Sequence, residues 1–386
     1  MILIEGLYNH AVVYTDELEE GAADQIRTLC DQPFSEGSRI RVMPDVHAGA
    51  GCTIGTTMTV HDKIVPNLVG VDIGCGMEVV RLAERDISCA RFDSLVRKLI
   101  PSGRAVRKRP HAFAERVDPD GLRCAPHVKR DRARLSIGTL GGGNHFIELN
   151  RDEEGTLYLV VHSGSRHVGL QVANFYQKEG YRELSGAEGG KREGKKRRAR
   201  GASVNKSQIP RDLAYVSGSL FRDYLHDMKL MQEFADWNRR AMVQDLTEGM
   251  GLTVEDRFTT VHNTIDTDSM ILRKGAVSAR KGQRFLLPMN MRDGSLICIG
   301  KGNAEWNYSA PHGAGRLMSR TAARQHLCMD EFEASMDGIY STSVNRGTLD
   351  EAPMAYKPME SILRHLTDTA EVVSHLKPIY NFKAKE

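Results

Sequence analysis

No run of about 18 apolar residues occurs in the 386-residue chain, so nothing in it predicts a bilayer-spanning helix. The segment Met1 to Tyr14 also lacks a basic flank followed by a long apolar stretch, and a cytoplasmic protein is expected. Cysteines are few. The seven of them (Cys30, Cys52, Cys75, Cys89, Cys124, Cys298 and Cys328) are odd in number and follow no framework spacing, which predicts reduced thiols, one of them free to bind metal. Charge of one sign is scarce: 53 Lys and Arg against 50 Asp and Glu leave a formal +3, too small to require a polyanionic partner unless the basic residues cluster locally. There is no internal repeat and no clear interdomain linker. With 40% hydrophobic and 27% charged residues the composition excludes a disordered or fibrous chain. Candidate functional residues run from Asp72 to His312, so one domain over residues 1–386, with insertions, is expected.

What is present is a repeated local grammar of short apolar runs that end in Gly-rich turns, the signal of strands delivering side chains at their ends. Ile40 to Met43 leads to Pro44-Asp45-Val46-His47, and Leu68 to Val71 to Asp72-Ile73-Gly74-Cys75-Gly76. Gly141-Gly142-Gly143-Asn144-His145 opens into Phe146 to Leu149, Leu157 to Val161 closes on His162, and Phe258 to Val261 on His262-Asn263. Apolar residues at three- and four-residue steps predict helices over Phe92 to Ile100, Val168 to Tyr181, Ser219 to Asp245 and Ser361 to Leu376. Gly275 to Gly302 reads as β-rich. Arg104 to Arg134 mixes Pro, Gly and charge without period and is expected to be irregular surface. Gly186 to Gly201, holding Lys195-Lys196-Arg197-Arg198, is expected to be a mobile basic loop, a solvated one before an RNA contact.

A carboxylate, a thiolate and three imidazoles, from Asp72, Cys75, His145, His162 and His262, suit a borderline ion such as Zn, Mn or Fe better than Ca²⁺ or Mg²⁺. A single His after a strand is more often a hydrogen-bonded structural residue, but several with the same grammar predict a shared pocket. His312, between Pro311 and Gly313 and followed by Arg316 and Arg320, is expected at the amino end of a helix along Gly313 to Ala323, where backbone N–H groups would favour a phosphate. An imidazole there could attack phosphorus and carry a covalent intermediate; the plainer alternative is that it caps the helix. Arg166, Arg316 and Arg320 could together hold successive phosphates.

Several of these segments closely resemble the RtcB family of RNA ligases: Asp72-Ile73-Gly74-Cys75-Gly76, Gly142-Gly143-Asn144-His145, His162-Ser163-Gly164-Ser165-Arg166, His262-Asn263, and His312-Gly313-Ala314-Gly315-Arg316 with Met318-Ser319-Arg320. The similarity runs from about Arg39 to Lys383 and includes Thr348-Leu349-Asp350-Glu351-Ala352-Pro353 and Ala355-Tyr356-Lys357. The resemblance implies an α/β (α+β) fold, a single large domain with mixed β-sheets around a central metal pocket and peripheral helices. It implies an enzyme, dependent on GTP and two Mn²⁺ ions, that joins RNA 3′-phosphate or 2′,3′-cyclic phosphate ends to 5′-hydroxyl ends in RNA repair or tRNA splicing, with cleaved tRNA or ribosomal RNA as partners. His312 would be the guanylylated nucleophile, Asp45 would help move a proton, and Asp72, Cys75, His145, His162 and His262 would bind the metals. Asn144, Glu148 and Asn263 would meet the nucleotide phosphates. Ser295, Gly315, Tyr356 and Lys383 would line the guanosine pocket, and Arg166, Arg316 and Arg320 would meet RNA phosphates.

Where the family usually has a Pro-Gly-Ser-Met-Gly loop beside the nucleotide, this chain reads Leu287-Pro288-Met289-Asn290-Met291-Arg292-Asp293-Gly294-Ser295, which marks a divergent branch. Two other readings stay open on the sequence: a metal-dependent RNA phosphodiesterase or cyclic-phosphate hydrolase, and a non-catalytic RNA-binding protein.

Overall fold

The computed structural model describes residues 1–186 and 209–384. The Lys195 to Arg198 cluster and nearly all of the expected basic loop therefore lie outside the described residues. Two large sheets form the frame. One is mixed, with strands in the order Ile2–Glu5, His10–Val13, Ile40–His47, Ile54–Thr59, Ile271–Lys274 and Asn263–Asp266; the pair His10–Val13 and Ile40–His47 is parallel and the others antiparallel. The other is antiparallel throughout, in the order Val254–Val261, Gly76–Leu82, Leu157–Ser163, Phe146–Arg151, Ala370–Lys383, Gly294–Gly300 and Arg284–Asn290. The mixed α/β character read from the sequence is what the chain adopts.

The helix expected over Ser219 to Asp245 runs Gly218–Met250 and is part of the core: Tyr224, Met228, Met231, Phe234 and Met242, at three- to eight-residue steps, are each at most 1% exposed. It ends where Gly251 takes a left-handed conformation and the Leu252 N–H returns to the Thr247 carbonyl. Its amino-terminal half packs with the mixed sheet and its carboxy-terminal half, through Met242, Val243 and Leu246, under the antiparallel one.

Three local expectations change. Leu68 to Val71 is not a strand; Pro66 starts the short helix Pro66–Val69, because its fixed φ and missing N–H suit a first helical turn. The last helix stops early, at Met359–Leu366, and Ala370–Lys383 becomes the longest strand, inserted between Phe146–Arg151 and Gly294–Gly300 so that both of its edges are hydrogen-bonded. Arg104 to Arg134 holds the 3₁₀ turns Ala112–Arg116 and Ala125–His127 and the short helix Arg130–Ser136. Among the described residues no helix is long and apolar enough to cross a membrane, and all seven cysteines are unpaired.

Glu78, 1% exposed on the strand Gly76–Leu82, gives the fold a pH dependence. Burial raises its carboxyl to about 7, against the pull of Arg239, Arg240 and Arg257, whereas in the unfolded chain it ionises near 4.5. Between those limits the folded state keeps a proton that the unfolded state has lost, so stability falls as pH rises through the window. Glu78→Gln should remove that loss, about 3 kcal/mol, read from urea melts on both sides of the window.

Candidate functional site

One residue joins the two sheets along the chain. The strand Val254–Val261 is an edge of the antiparallel sheet and Asn263–Asp266 an edge of the mixed sheet, and His262 is the single residue between them. Around this junction the expected strand ends converge. Asp72 and Cys75 occupy the turn that leads into Gly76–Leu82, closed by the Cys75 N–H on the Asp72 carbonyl at 3.1 Å. Gly74 in that turn has φ +74°, and a Cβ there would sit 2.9 Å from Gln232 Cα of the long helix, so no other residue fits. His145 immediately precedes Phe146–Arg151, and His162 lies in Leu157–Ser163 opposite both Met77 and Phe146.

Cys75 Sγ is 3.4 Å from His145 Nε2 and 3.4 Å from His162 Nε2, and Asp72 Oδ2 is 3.1 Å from His145 Nε2. The opposite ring nitrogens are engaged: His145 Nδ1 donates to the Leu140 carbonyl at 2.9 Å and His162 Nδ1 to the Asn144 carbonyl at 3.2 Å. Arg166 Nη1 also lies 3.2 Å from His145 Nδ1. The Nε2 of His162 therefore turns its lone pair to the thiol, and the Nε2 of His145 lies between the thiol and the Asp72 carboxylate. Burial holds His162 and His262 well below the ordinary imidazole range, so both are neutral. Burial and the Asp72 charge hold the Cys75 thiol up. Asp72 stays ionised at about 2: burial raises it, but the His145 hydrogen bond and the charges of His145 and Arg166 outweigh burial. Cys75 Sγ and a ring nitrogen of each of His145 and His162 lie within 4.8 Å of one another with the Asp72 carboxylate beside them, and this donor set, with ring orientation supplied by backbone carbonyls, fits a divalent borderline metal.

The ring row continues. Ring centroids are 5.2 Å apart from His145 to His162, 5.2 Å from His162 to His262 and 4.9 Å from His262 to His312. His262 Nδ1 is buried and has no hydrogen-bond partner. His312 follows the strand Ser309–Pro311, and the helix expected at Gly313 begins only at Arg320. The backbone N–H groups expected to bind an anion there are taken: fully buried Asp45, from Ile40–His47, accepts the N–H of His312 at 3.0 Å and of Gly313 at 3.2 Å on Oδ2. The same oxygen accepts from His312 Nδ1 at 2.6 Å. That contact orients the ring, leaves Nε2 with its lone pair, and places a negative charge where an imidazolium would be stabilised.

A cavity of about 260 Å³ opens on this row, lined by His162, His262 and His312. Of the residues expected at a nucleotide, Asn144, Glu148, Asn263, Gly315, Tyr356 and Lys383 line it, and Pro288 to Met291 with Gly294 form one wall as the turn of a hairpin. Ser295 does not line it; it is buried in the sheet opposite Pro288 and Leu376. The three arginines are not brought together. Arg316 and Arg320 are in this cavity, where Arg320 pairs with Asp350 and Glu351, both at 2.6 Å, and Arg316 donates to the Asp350 carbonyl at 2.7 Å. Arg166 lines a second cleft of about 730 Å³, which reaches Asp72 and His145 and shares Asn144 with the first.

Two groups escaped the sequence reading. Arg104, Lys129 and Arg132 line that second cleft with Arg166 and His167; the absence of a period in Arg104 to Arg134 hid them, because Arg104 lies in a loop and Lys129 and Arg132 start a helix of only seven residues. His47 lines the first cavity beside His312, and its adjacency to Asp45 was the only signal of it.

Comparison with known proteins gives the following. The family model described as "tRNA-splicing ligase RtcB" matches residues 25–121 and 114–384. The chain is 30% identical to the RNA-splicing ligase RtcB of Escherichia coli (strain K12) over 94% of both chains. It is 28% identical to the tRNA-splicing ligase RtcB of Archaeoglobus fulgidus over 94% of this chain and 91% of the other, and 27% identical to that of Aeropyrum pernix over 96% and 94%.

The donor geometry predicts that protein dialysed against Mn²⁺ or Zn²⁺ and passed through a desalting column retains metal. The double substitution Cys75→Ala, His162→Ala should lower retention at least tenfold, because losing even one orienting partner of a ligand costs that much; unchanged retention would place the metal elsewhere.

Proposed function

This chain belongs to the RtcB family, and from that premise we propose that it is an RNA ligase that joins a 3′-phosphate or 2′,3′-cyclic phosphate end to a 5′-hydroxyl end, using GTP, Mn²⁺ and a guanylylated His312. The observation that carries the proposal is the 2.6 Å contact from His312 Nδ1 to buried Asp45, which frees Nε2 on the wall of a cavity that also holds His162 and His262.

In this reading His312 Nε2 attacks the α-phosphorus of GTP, an N–P bond forms and pyrophosphate leaves. Asp45 keeps the Nδ1 proton in place and offsets the positive charge that grows on the ring, without itself taking the proton. A 2′,3′-cyclic end is first opened by water, which breaks the bond from phosphorus to the 2′-oxygen; guanylate then passes to the RNA 3′-phosphate and regenerates His312, and the 5′-hydroxyl attacks that phosphorus and GMP is released. Asp72, Cys75, His145, His162 and His262 would hold the metal ions, which supply charge neutralisation at the phosphates. Asn144, Glu148 and Asn263 would position the nucleotide phosphates, and Gly315, Tyr356 and Lys383 the guanosine. Gly315 is suited to close approach: its φ is +72° and a Cβ would sit 2.5 Å from the Asp45 carbonyl. Arg320 and Lys383 reach substrate only by sharing charge with Asp350 and Glu351, whose carboxylates already hold them. Cleaved tRNA or ribosomal RNA presents the required ends, and the seven unpaired thiols suit a reducing compartment, which is why we assign the protein to the cytoplasm.

Incubation with GTP and Mn²⁺ should add one guanylate to the intact mass. His312→Ala should abolish the adduct, and Asp45→Asn should slow its formation by roughly a thousandfold or more. An adduct that survives His312→Ala would sink the proposal.

A further inference from the structure

Joining the two RNA ends requires a proton to leave the attacking 5′-hydroxyl, and most bases in the cavity are already engaged. Glu148 is buried and accepts from Asn381 at 2.5 Å and from Asn150 at 3.4 Å. Glu351 is held at about 2, burial being outweighed by Lys383 and Arg320. His162 directs Nε2 at Cys75, His262 belongs to the metal set, and His312, although free again when the ends are joined, already has the transfer of guanylate as its own step and is tied through Nδ1 to Asp45 at 2.6 Å.

His47 is the base without such a duty. It closes the strand Ile40–His47, two residues beyond Asp45, and lines the same cavity as His312. Its Nδ1 donates to the Ala48 carbonyl at 3.0 Å, which fixes the ring and leaves Nε2 as a lone pair. Asp45 on its own strand, and His312 and Arg316 from the loop across the cavity, are the charged or titratable groups that act on it; burial first, then His312 and Arg316, keep the ring neutral against the opposing effect of the Ala48 hydrogen bond and Asp45. A neutral imidazole with one oriented lone pair is the form a general base must have near neutral pH.

We propose that His47 is the general base of the joining step. The oxygen–phosphorus bond from the 5′-hydroxyl to the 3′-phosphate forms, the bond from that phosphorus to the guanylate oxygen breaks, GMP leaves, and the hydroxyl proton goes to His47 Nε2 and then to solvent. The proposal rests on the ligase reading above and adds a residue that acts after guanylylation.

The test follows two products of the full-length protein: the guanylate adduct by intact mass, and joined RNA from a 3′-phosphate strand and a 5′-hydroxyl strand. His47→Ala should form the adduct at the wild-type rate, accumulate the guanylate-capped 3′ strand, and join roughly a hundredfold or more slowly. An acceptor strand with a 5′-thiol, which ionises without help, should restore joining by His47→Ala to near the wild-type rate with the same strand; a ring with only a structural role would not be bypassed in this way. Joining by His47→Ala at the wild-type rate overturns the proposal. So does loss of the adduct in both His47→Ala and His47→Gln, because the ring would then support the cavity as a whole. A wild-type protein that takes up no guanylate sinks the ligase reading itself, and that outcome is visible before any substitution is made.

Discussion

Two adjacent side chains on the long helix, Asn238 and Arg239, are fully buried and polar, and their hydrogen bonds run almost entirely to backbone groups of the turns that carry the site. Asn238 Oδ1 accepts from the N–H groups of Gly138 and Thr139, while Nδ2 donates to the Thr139 and Gly164 carbonyls and to Ser163 Oγ. Arg239 Nη1 donates to the carbonyls of Gly74 and Ser163 at 2.9 and 3.0 Å. Gly74 lies between Asp72 and Cys75, Ser163 follows His162, and Gly138 and Thr139 precede His145. A buried polar group without partners is costly, so these turns and this helix form together or not at all. The candidate ligands are positioned by that constraint more than by contacts with one another.

The cavity beside it is built on a different balance. Glu351 is 2% exposed and touches Lys383, Arg320, Arg316 and the Tyr356 hydroxyl. Charges removed from water are tolerated only when paired and hydrogen-bonded, and here the pairs lie on the wall of the cavity rather than deep in the core. The wall is thus cationic in make-up but close to neutral in sum, and an incoming anion has to compete with carboxylates for the same guanidinium and ammonium groups. Arg166 and its basic neighbours, in the second cleft, form a separate cationic surface.

Apart from Leu68 to Val71, the strand ends were legible because each carried its own signal: Leu157 to Val161 is continuous apolar sequence, as a central strand requires, and it closes on His162. The amphipathic stripe of the long helix was equally readable. Ser361 to Leu376 misled because its apolar spacing continues past Leu366, whereas Ala370–Lys383 is recruited as a strand by two partners far away in sequence. The Gly313 to Gly315 stretch misled for a related reason. The partner of its backbone is the Asp45 carboxylate, 267 residues from His312, and no local pattern reports so distant an acceptor. His47 was hidden because Asp45, two residues before it, drew the reading, and the basic cleft because its residues come from a loop and from the starts of two separate helices.

The single-residue junction at His262 has a mechanical meaning. With one residue between an edge strand of each sheet, there is no slack to absorb a rotation of one sheet against the other, so any such rotation must change the position of that imidazole relative to His162. An ion held across both would act as a rivet. Its binding free energy would then be drawn partly from fixing the angle between the sheets, and a ligand that wedges the sheets apart would loosen the ion without touching it.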